Sequence, residues 1–352
     1  MGKSERERLD LYTSTGSKFW SHPEAMRAYK SGRPESVIST HISPTSACNL
    51  KCSYCSVRDR GYSTIPIEVI QDYVLKLKRL GLKAVVLTGG GEPTVYPEFS
   101  RLVHWLSQEQ GLRLGLITNG TLFDRVSGLN YFDWIRISVN DDPIFWSKFE
   151  IPRSRGSHFD SDPHAVDPKC VLGLSVVVTT QSCTVEYFQR ILAWFQSSAV
   201  KYIRVLADCS ESNEVIRRVD KKIAACLEQV PSPLFLHQIK QKQAPASSVC
   251  HQSYFRPYLS EVPFGDRGPG TVYPCDSVVL GELSHKFPLK HQLCYAADVL
   301  EYLERGVLAK FDPRVDCAGC VFTQNVNMLE NYLSGWIEPA FVEEKTEHDE
   351  FI

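Results

Sequence analysis

Three thiols fall within eight residues of this chain, at Cys48, Cys52 and Cys55 of Cys-Asn-Leu-Lys-Cys-Ser-Tyr-Cys. Ligands spaced this tightly can converge on one compact metal centre, yet no fourth thiol lies nearby in sequence. Iron–sulfur clusters normally take four protein thiolates. A triad on one short loop therefore points to a cluster with one iron left open to a small molecule. The spacing alone also allows a zinc site completed from elsewhere in the chain, or three unrelated buried cysteines.

A second landmark follows. Residues 84–88, Ala-Val-Val-Leu-Thr, form a short apolar run that fits a buried parallel strand. The run leads directly into Gly89-Gly90-Gly91-Glu92-Pro93. Glycines at the carboxyl end of such a strand let a ligand approach the backbone, and Glu92 supplies a negative group for an ammonium. Taken with the CxxxCxxC loop, this strand and its GGEP ending resemble the radical S-adenosylmethionine (SAM) superfamily.

The resemblance implies a 4Fe–4S cluster held by Cys48, Cys52 and Cys55, with the open iron binding the amino and carboxylate groups of SAM. Gly90, Gly91, Glu92 and Pro93 match the motif that contacts the amino group, and Tyr54 matches an aromatic position near the adenine. One electron from the cluster would cleave SAM to methionine and a 5′-deoxyadenosyl radical, which takes a hydrogen atom from an unactivated carbon. The cofactor carries that chemistry; the protein aims it and excludes water.

The rest of the chain reads as a parallel α/β protein. Strand patterns at 37–43, 84–89, 112–118, 133–139, 171–179 and 201–207 alternate with helical patterns near 65–80, 98–110, 121–128, 184–197 and 213–229. Six such units fit a partial (β/α)6 TIM-like barrel, where ligands gather at the carboxyl ends of the strands. Thr118-Asn119-Gly120 and Ser138-Val139-Asn140 stand at two more of those ends. Alternation within strands sends His41, Ser43, Trp134, Arg136, Ser138, Asn140, Ser175, Thr179, Tyr202, Arg204 and Asp208 toward the lumen. An inward Arg136 or Arg204 needs an anion, either the SAM carboxylate or a substrate acid. The bland alternatives are a hydrogen-bonded structural role for His41 and a mutual ion pair for Arg204 and Asp208. Ser138 and Asn140 match positions that contact SAM in relatives. Asn119, Ser175 and Arg204 complete the expected cofactor contacts. No general acid or base is singled out; Tyr202, Asp208, Tyr254 and Arg256 are candidates by position only.

The leader, 1–36, is expected to be peripheral, with residues 1–16 disordered or peripheral and 17–31 a helix or strap bracing the barrel. It has no room for the winged-helix peptide-recognition domain found in many peptide-modifying relatives. The barrel is expected over 37–231, with a Pro- and Asp-rich loop at 141–170 near the active site. Past 232 the pattern changes to a hairpin around Gly270, a helix near 296–310, and a last helix near 321–336. Cys250, Cys275, Cys317 and Cys320 mark this segment, 232–340, before a tail at 341–352. Four cysteines so placed can bind zinc or a second cluster. The segment resembles SPASM and twitch auxiliary-cluster domains, and the missing further cysteines imply the shorter twitch form: a small α+β domain with a second 4Fe–4S cluster. Cys294 can replace one ligand or be a buried thiol. Cys170, Cys183, Cys209 and Cys226 are expected in the core.

With 352 residues, 12 cysteines and a net charge of −2, the chain has the composition of a globular protein without a broad nucleic-acid-binding surface. The charged start, MGKSERERLD, is not a secretory signal, and no apolar run is long enough for a membrane span. Unpaired thiols then suit a reducing cytoplasm. The expected partners are a small-molecule substrate and an electron donor such as flavodoxin or ferredoxin. The resemblance equally permits a peptide-modifying maturase. A structural metal-binding adaptor would leave the GGEP loop and polar lumen without a purpose.

Overall fold

The computed structural model describes residues 4–13, 16–59, 61–139, 143–149, 151–152, 162, 164–280, 288–305, 311–338, 341–342 and 348–352. Asn140 and 13 residues of the expected active-site loop at 141–170 lie outside them, so the expected Asn140 contact and that part of the loop are not placed. Among the described residues ten strands form one open sheet: β1 (Ser39–Ile42), β2 (Ala84–Leu87), β3 (Arg113–Thr118), β4 (Trp134–Val139), β5 (Val171–Val178), β6 (Tyr202–Ala207), β7 (Phe235–His237), β8 (Tyr258–Pro263), β9 (Pro269–Tyr273) and β10 (Cys294–Tyr295). Strands β1 to β7 run parallel in chain order.

Local chemistry explains the alternation. All four residues of β2 are buried, as a strand covered on both faces requires. The helix Ile67–Arg79 buries Ile67, Ile70, Tyr73, Val74 and Leu77, the three-and-four spacing of one helical face. Tyr73 hides its hydroxyl in that interface by bonding Thr40 Oγ1 at 2.8 Å. In β4 the buried residues Ile135, Ile137 and Val139 alternate with half-buried Trp134, Arg136 and Ser138, which gives the sheet a polar inner face.

The six expected strands are present, and the helices at Val185–Phe195 and Asn213–Gln229 fall where periodicity put them. Residues 121–128 form only a short turn at Phe123–Arg125. Left-handed Gly120 and Gly128 bracket the segment and leave too few residues to nucleate a helix. Of the two expectations for the start of the chain, disorder is not met. Glu5–Tyr12 is a helix closed by a capping box, with Ser4 and Glu7 exchanging hydrogen bonds of 2.6 and 3.3 Å. Such caps contribute about 1 kcal/mol, and Tyr12 stacks on Tyr202 with ring centres 4.4 Å apart.

The expected boundary near 231 is crossed by the sheet at both edges. β7 adds a seventh parallel strand beside β6. At the other edge β8 pairs in parallel with β1, matching His41 to Tyr258 and Ile42 to Leu259. The antiparallel β8–β9 hairpin, with β10 beside it, therefore continues the barrel sheet. The chain's last described residues close the opposite end. Phe351 packs edge-on against Trp134 at 5.4 Å, and buried Lys18 donates to the carbonyls of Leu11, His348 and Phe351. Among the described residues no helix is long and apolar enough to cross a membrane.

Candidate active site

The triad loop leaves β1 and is stitched to its surroundings. Ser46 and Ile65 hold its two ends together through Ser46 N–H to Ser63 O and Ile65 N–H to Pro44 O, both 2.9 Å. Asn49 Nδ2 donates to Thr121 Oγ1 at 2.8 Å, and Asn119 Nδ2 donates to Asn49 Oδ1 at 2.9 Å. Tyr54 donates its hydroxyl to Val139 O, at the end of β4, at 3.0 Å. The loop is thus anchored to the carboxyl ends of β3 and β4, and its three cysteines are half-buried.

The glycine loop after β2 lies against the triad loop. Gly91 N–H bonds Thr45 O at 2.9 Å and Glu92 N–H bonds Ala47 O at 2.8 Å. A Cβ on Gly91 would stand 2.0 Å from Ala47 O, and one on Gly90 would stand 1.9 Å from Glu261 Oε1 of β8. At Gly91 the obstruction is backbone and only glycine permits the approach, whereas at Gly90 a Cβ would have to push the Glu261 side chain aside. Glu92 is 3% exposed, and its carboxylate accepts from Thr94 N–H and Oγ1, Thr118 Oγ1 and Asn119 N–H at 3.1 to 2.5 Å. Burial raises its pKa, opposed by those bonds. Its carboxylate thus ties the glycine loop to β3. We expect Gly91→Ala to lower SAM affinity by about tenfold or more, because backbone on both sides must shift; equilibrium binding of SAM to the folded variant checks it.

These loops open on a cavity of about 390 Å³. Its near wall carries Cys48, Cys52, Cys55, Tyr54, Gly90, Gly91, Glu92, Asn119 and Ser138, all expected at a cofactor site. Its far wall adds Arg204, Asp208, Cys209, Gln238, Lys240, Arg256, Asp276 and Phe322. Pro93 is buried at the start of a turn behind the loop, and Ser175 accepts from Arg204 Nη2 at 2.7 Å without lining the cavity itself.

Of the four positional candidates for catalysis, Asp208 and Arg256 line the cavity. Tyr202 instead lies at the closed end beneath Tyr12, and Tyr254 packs between Tyr29 and Tyr302. Thr179 turns away to bond Ser182. Arg204 pairs with Ser175 and Gln238, at 2.7 and 3.0 Å, and not with Asp208, whose Oδ1 accepts from Ser210 N–H and Oγ. His41 contacts Asp276 at 3.1 Å. Burial and Arg256 push the imidazole pKa down, so this contact is a hydrogen bond from a neutral ring. Burial would raise Asp276, but His41 and Arg256 outweigh it and hold the carboxyl well below its ordinary range.

Cys250, Cys275, Cys317 and Cys320 line a second cavity, separated from the first by Phe322 and Val321, which border both. Burial pushes the Cys250 thiol up to about 12, and burial followed by the nearness of Cys250, Asp276 and the other thiols raises Cys275 further. Among the described residues no three His, Cys, Asp or Glu side chains gather tightly enough for a single metal ion. A lone zinc needs every sulfur about 2.3 Å from one point. A cluster takes one thiolate on each iron and so accepts wider spacing, which fits both cysteine sets better.

His291, which spacing did not single out, lines the second cavity with its Nε2 3.4 Å from Cys317 Sγ. Burial and Lys290 push it down to about 4, leaving a neutral ring that can donate to a thiolate. Cys294 lies in β10, outside that cavity, while Cys170, Cys183 and Cys226 are core residues. Cys209 is the exception to its expectation, because it borders the first cavity. Lys240, Asp276 and Phe322 were also not singled out. Their signal was adjacency: Asp276 follows Cys275, Phe322 follows the CxxC pair, and Lys240 continues the alternation of the short β7.

Comparison with known proteins agrees with this geometry. Residues 42–143 match the Radical SAM superfamily. GTP 3′,8-cyclase 1 of Mycobacterium tuberculosis is 33% identical over 129 residues, covering 33% of this chain and 35% of that protein. GTP 3′,8-cyclase of Aquifex aeolicus is 33% identical over 119 residues, covering 32% and 36%. The chain therefore matches only about a third of these relatives' length. The solved structure of native anSMEcpe with bound AdoMet and Cp18Cys peptide is similar in fold, with a TM-score of 0.53 and 17% identity over 82% of this chain and 88% of that one. With a thiol triad after the first strand, a glycine cradle after the second and an open parallel half-barrel around them, residues 42–143 form the part of the chain that matches the radical SAM superfamily, whose members use a 4Fe–4S cluster and SAM.

Proposed function

We propose that this radical SAM enzyme abstracts hydrogen from a small molecule held in the 390 Å³ cavity, with net oxidation or rearrangement of that molecule. Cys48, Cys52 and Cys55 would hold the SAM-binding cluster. Tyr54, Gly90, Gly91, Asn119 and Ser138 would seat SAM. Cys250, Cys275, Cys317 and Cys320 would hold a second cluster in a twitch-like segment. Bound at these places, the cofactors supply a 5′-deoxyadenosyl radical and a site for an electron.

The chain's own residues have narrower tasks. The Glu92 bonds to Thr118 and Asn119 fix the glycine loop against the triad loop. Phe322, Val321 and Leu280 close the far wall against water, which would otherwise quench reactive species. Asp208 uses Oδ1 to accept from Ser210, leaving Oδ2 to take a proton from substrate. The reductant would be a small electron carrier such as flavodoxin or ferredoxin.

One observation carries the reading: a single cavity runs from the three half-buried thiols to a wall shared with the four C-terminal thiols. Iron- and sulfide-loaded protein, reduced without oxygen, should release 5′-deoxyadenosine from SAM. Loaded protein that leaves SAM intact would sink the proposal.

A further inference from the structure

The far wall of the cavity holds more positive charge than the rest of the site uses. Arg136, Arg204, Lys240 and Arg256 all line it, against the carboxylates of Asp208 and Asp276. Asp276 is already engaged, by His41 at 3.1 Å and by Arg256 at 3.9 Å. Asp208 is turned into its own loop by Ser210. Among the described residues, Arg136, Arg204 and Lys240 have no carboxylate partner within ion-pair distance. The Nε atoms of Arg136 and Arg204 are buried without a hydrogen-bond partner.

The neutral contacts of these side chains orient them without neutralising them. Arg204 is held by Ser175 and Gln238. Phe322 lies under Lys240 and Arg256, with the charged groups 4.9 and 4.7 Å from the ring centre. Burial, then Arg204, pushes Lys240 down to about 8, and burial, then Arg136, pushes Arg204 down to about 9. Unpaired buried cations are costly, and a cluster of mutually repelling ones is a vacancy for an anion. The SAM carboxylate can answer one of them, which leaves a surplus on the side nearest Phe322.

We infer that the substrate carries an oxyanion group, a phosphate or a carboxylate, received between Arg204, Lys240 and Arg256 beside Phe322. This rests on the proposed radical SAM reading for its location in the cavity but not for its chemistry. Two nitrogens of a guanidinium match two oxygens of either group. The arrangement places the anion at the wall shared with the C-terminal cysteines, so the rest of the molecule extends toward the triad loop.

The test uses the full chain, anaerobically loaded with iron and sulfide and saturated with SAM, titrated calorimetrically at low ionic strength. Pyrophosphate and succinate serve as probes that separate phosphate from carboxylate recognition. At least one should bind, and Lys240→Met and Arg204→Gln should each weaken it by about tenfold or more, with Lys240→Arg restoring most of the affinity. SAM affinity, measured on the same samples, should stay within about twofold for Lys240→Met, which also shows that the variant is folded. No binding of either probe, binding that ignores the substitutions, or a loss that falls on SAM instead of the probe would each overturn the inference. Because the probes can also be titrated without SAM, a chain that binds pyrophosphate but never cleaves SAM would keep the anion site and discard only the radical reading.

Discussion

Alanine at any one of Cys48, Cys52 or Cys55 is expected to abolish release of 5′-deoxyadenosine and to remove roughly half of the bound iron. The size of the effect follows from how metal sites fail. Losing a group that only hydrogen-bonds to a ligand typically costs 10–100-fold, so losing a ligand should exceed about 100-fold. The three positions have no substitute nearby, since no other cysteine lies within the loop. Folding should survive, because the thiols are half-buried and the loop is held by Asn49, Tyr54 and backbone bonds that the substitutions leave alone. Product analysis by chromatography, iron determination and a thermal unfolding trace on each variant decide the matter. A variant that retains iron and full cleavage would show that its sulfur is not a ligand.

The catalytic end of the molecule was legible because its chemistry is local. Cys48 to Cys55 and Gly89 to Pro93 are short runs whose spacing and backbone freedom carry their own constraint, and the parallel strands beneath them announce themselves by burial on both faces. The alternation of Arg136 and Ser138 with Ile135 and Ile137 named the lumen for the same reason. What periodicity could not supply was depth along a strand. Tyr202, Arg204 and Asp208 share one face of β6 and its extension, yet Tyr202 is at the closed end and Asp208 at the open one. Partner choice was equally hidden. Arg204 turned to Ser175, its register partner in β5, and to Gln238, just past the end of the neighbouring β7, a three-residue strand that has too little pattern to see. Asp276 met the barrel through β8 joining β1, a pairing between positions more than two hundred residues apart, and Phe322 through the bonds of Cys320 and Thr323 to Gln243 beyond β7. The capping box at Ser4 and Glu7, by contrast, carries a Ser-x-x-Glu signature in the sequence itself.

The double replacement Cys250→Ala with Cys275→Ala should take loaded protein from roughly eight irons per chain to roughly four, if each site holds a four-iron cluster. Cleavage of SAM should continue, since the triad and the glycine loop are untouched, while turnover of the true substrate should fall by more than about 100-fold. The two positions come from separate segments: Cys250 precedes the turn His251–Tyr254, and Cys275 follows β9. Nothing in backbone geometry requires both to face the space shared with Cys317 and Cys320, yet all four do, beside a neutral His291. Four half-buried thiols, of which Cys250, Cys275 and Cys317 are pushed up by burial and then by neighbouring sulfurs, are poor company unless a metal centre takes their protons. If that centre were a single zinc, the sulfurs would have to crowd within reach of one ion, which they do not. Iron analysis and the visible spectrum of the double variant separate the cases: iron equal to wild type would mean these thiols hold no cluster, whereas a loss of half the iron with SAM cleavage intact assigns the second cluster to the C-terminal segment and leaves the first to work without it.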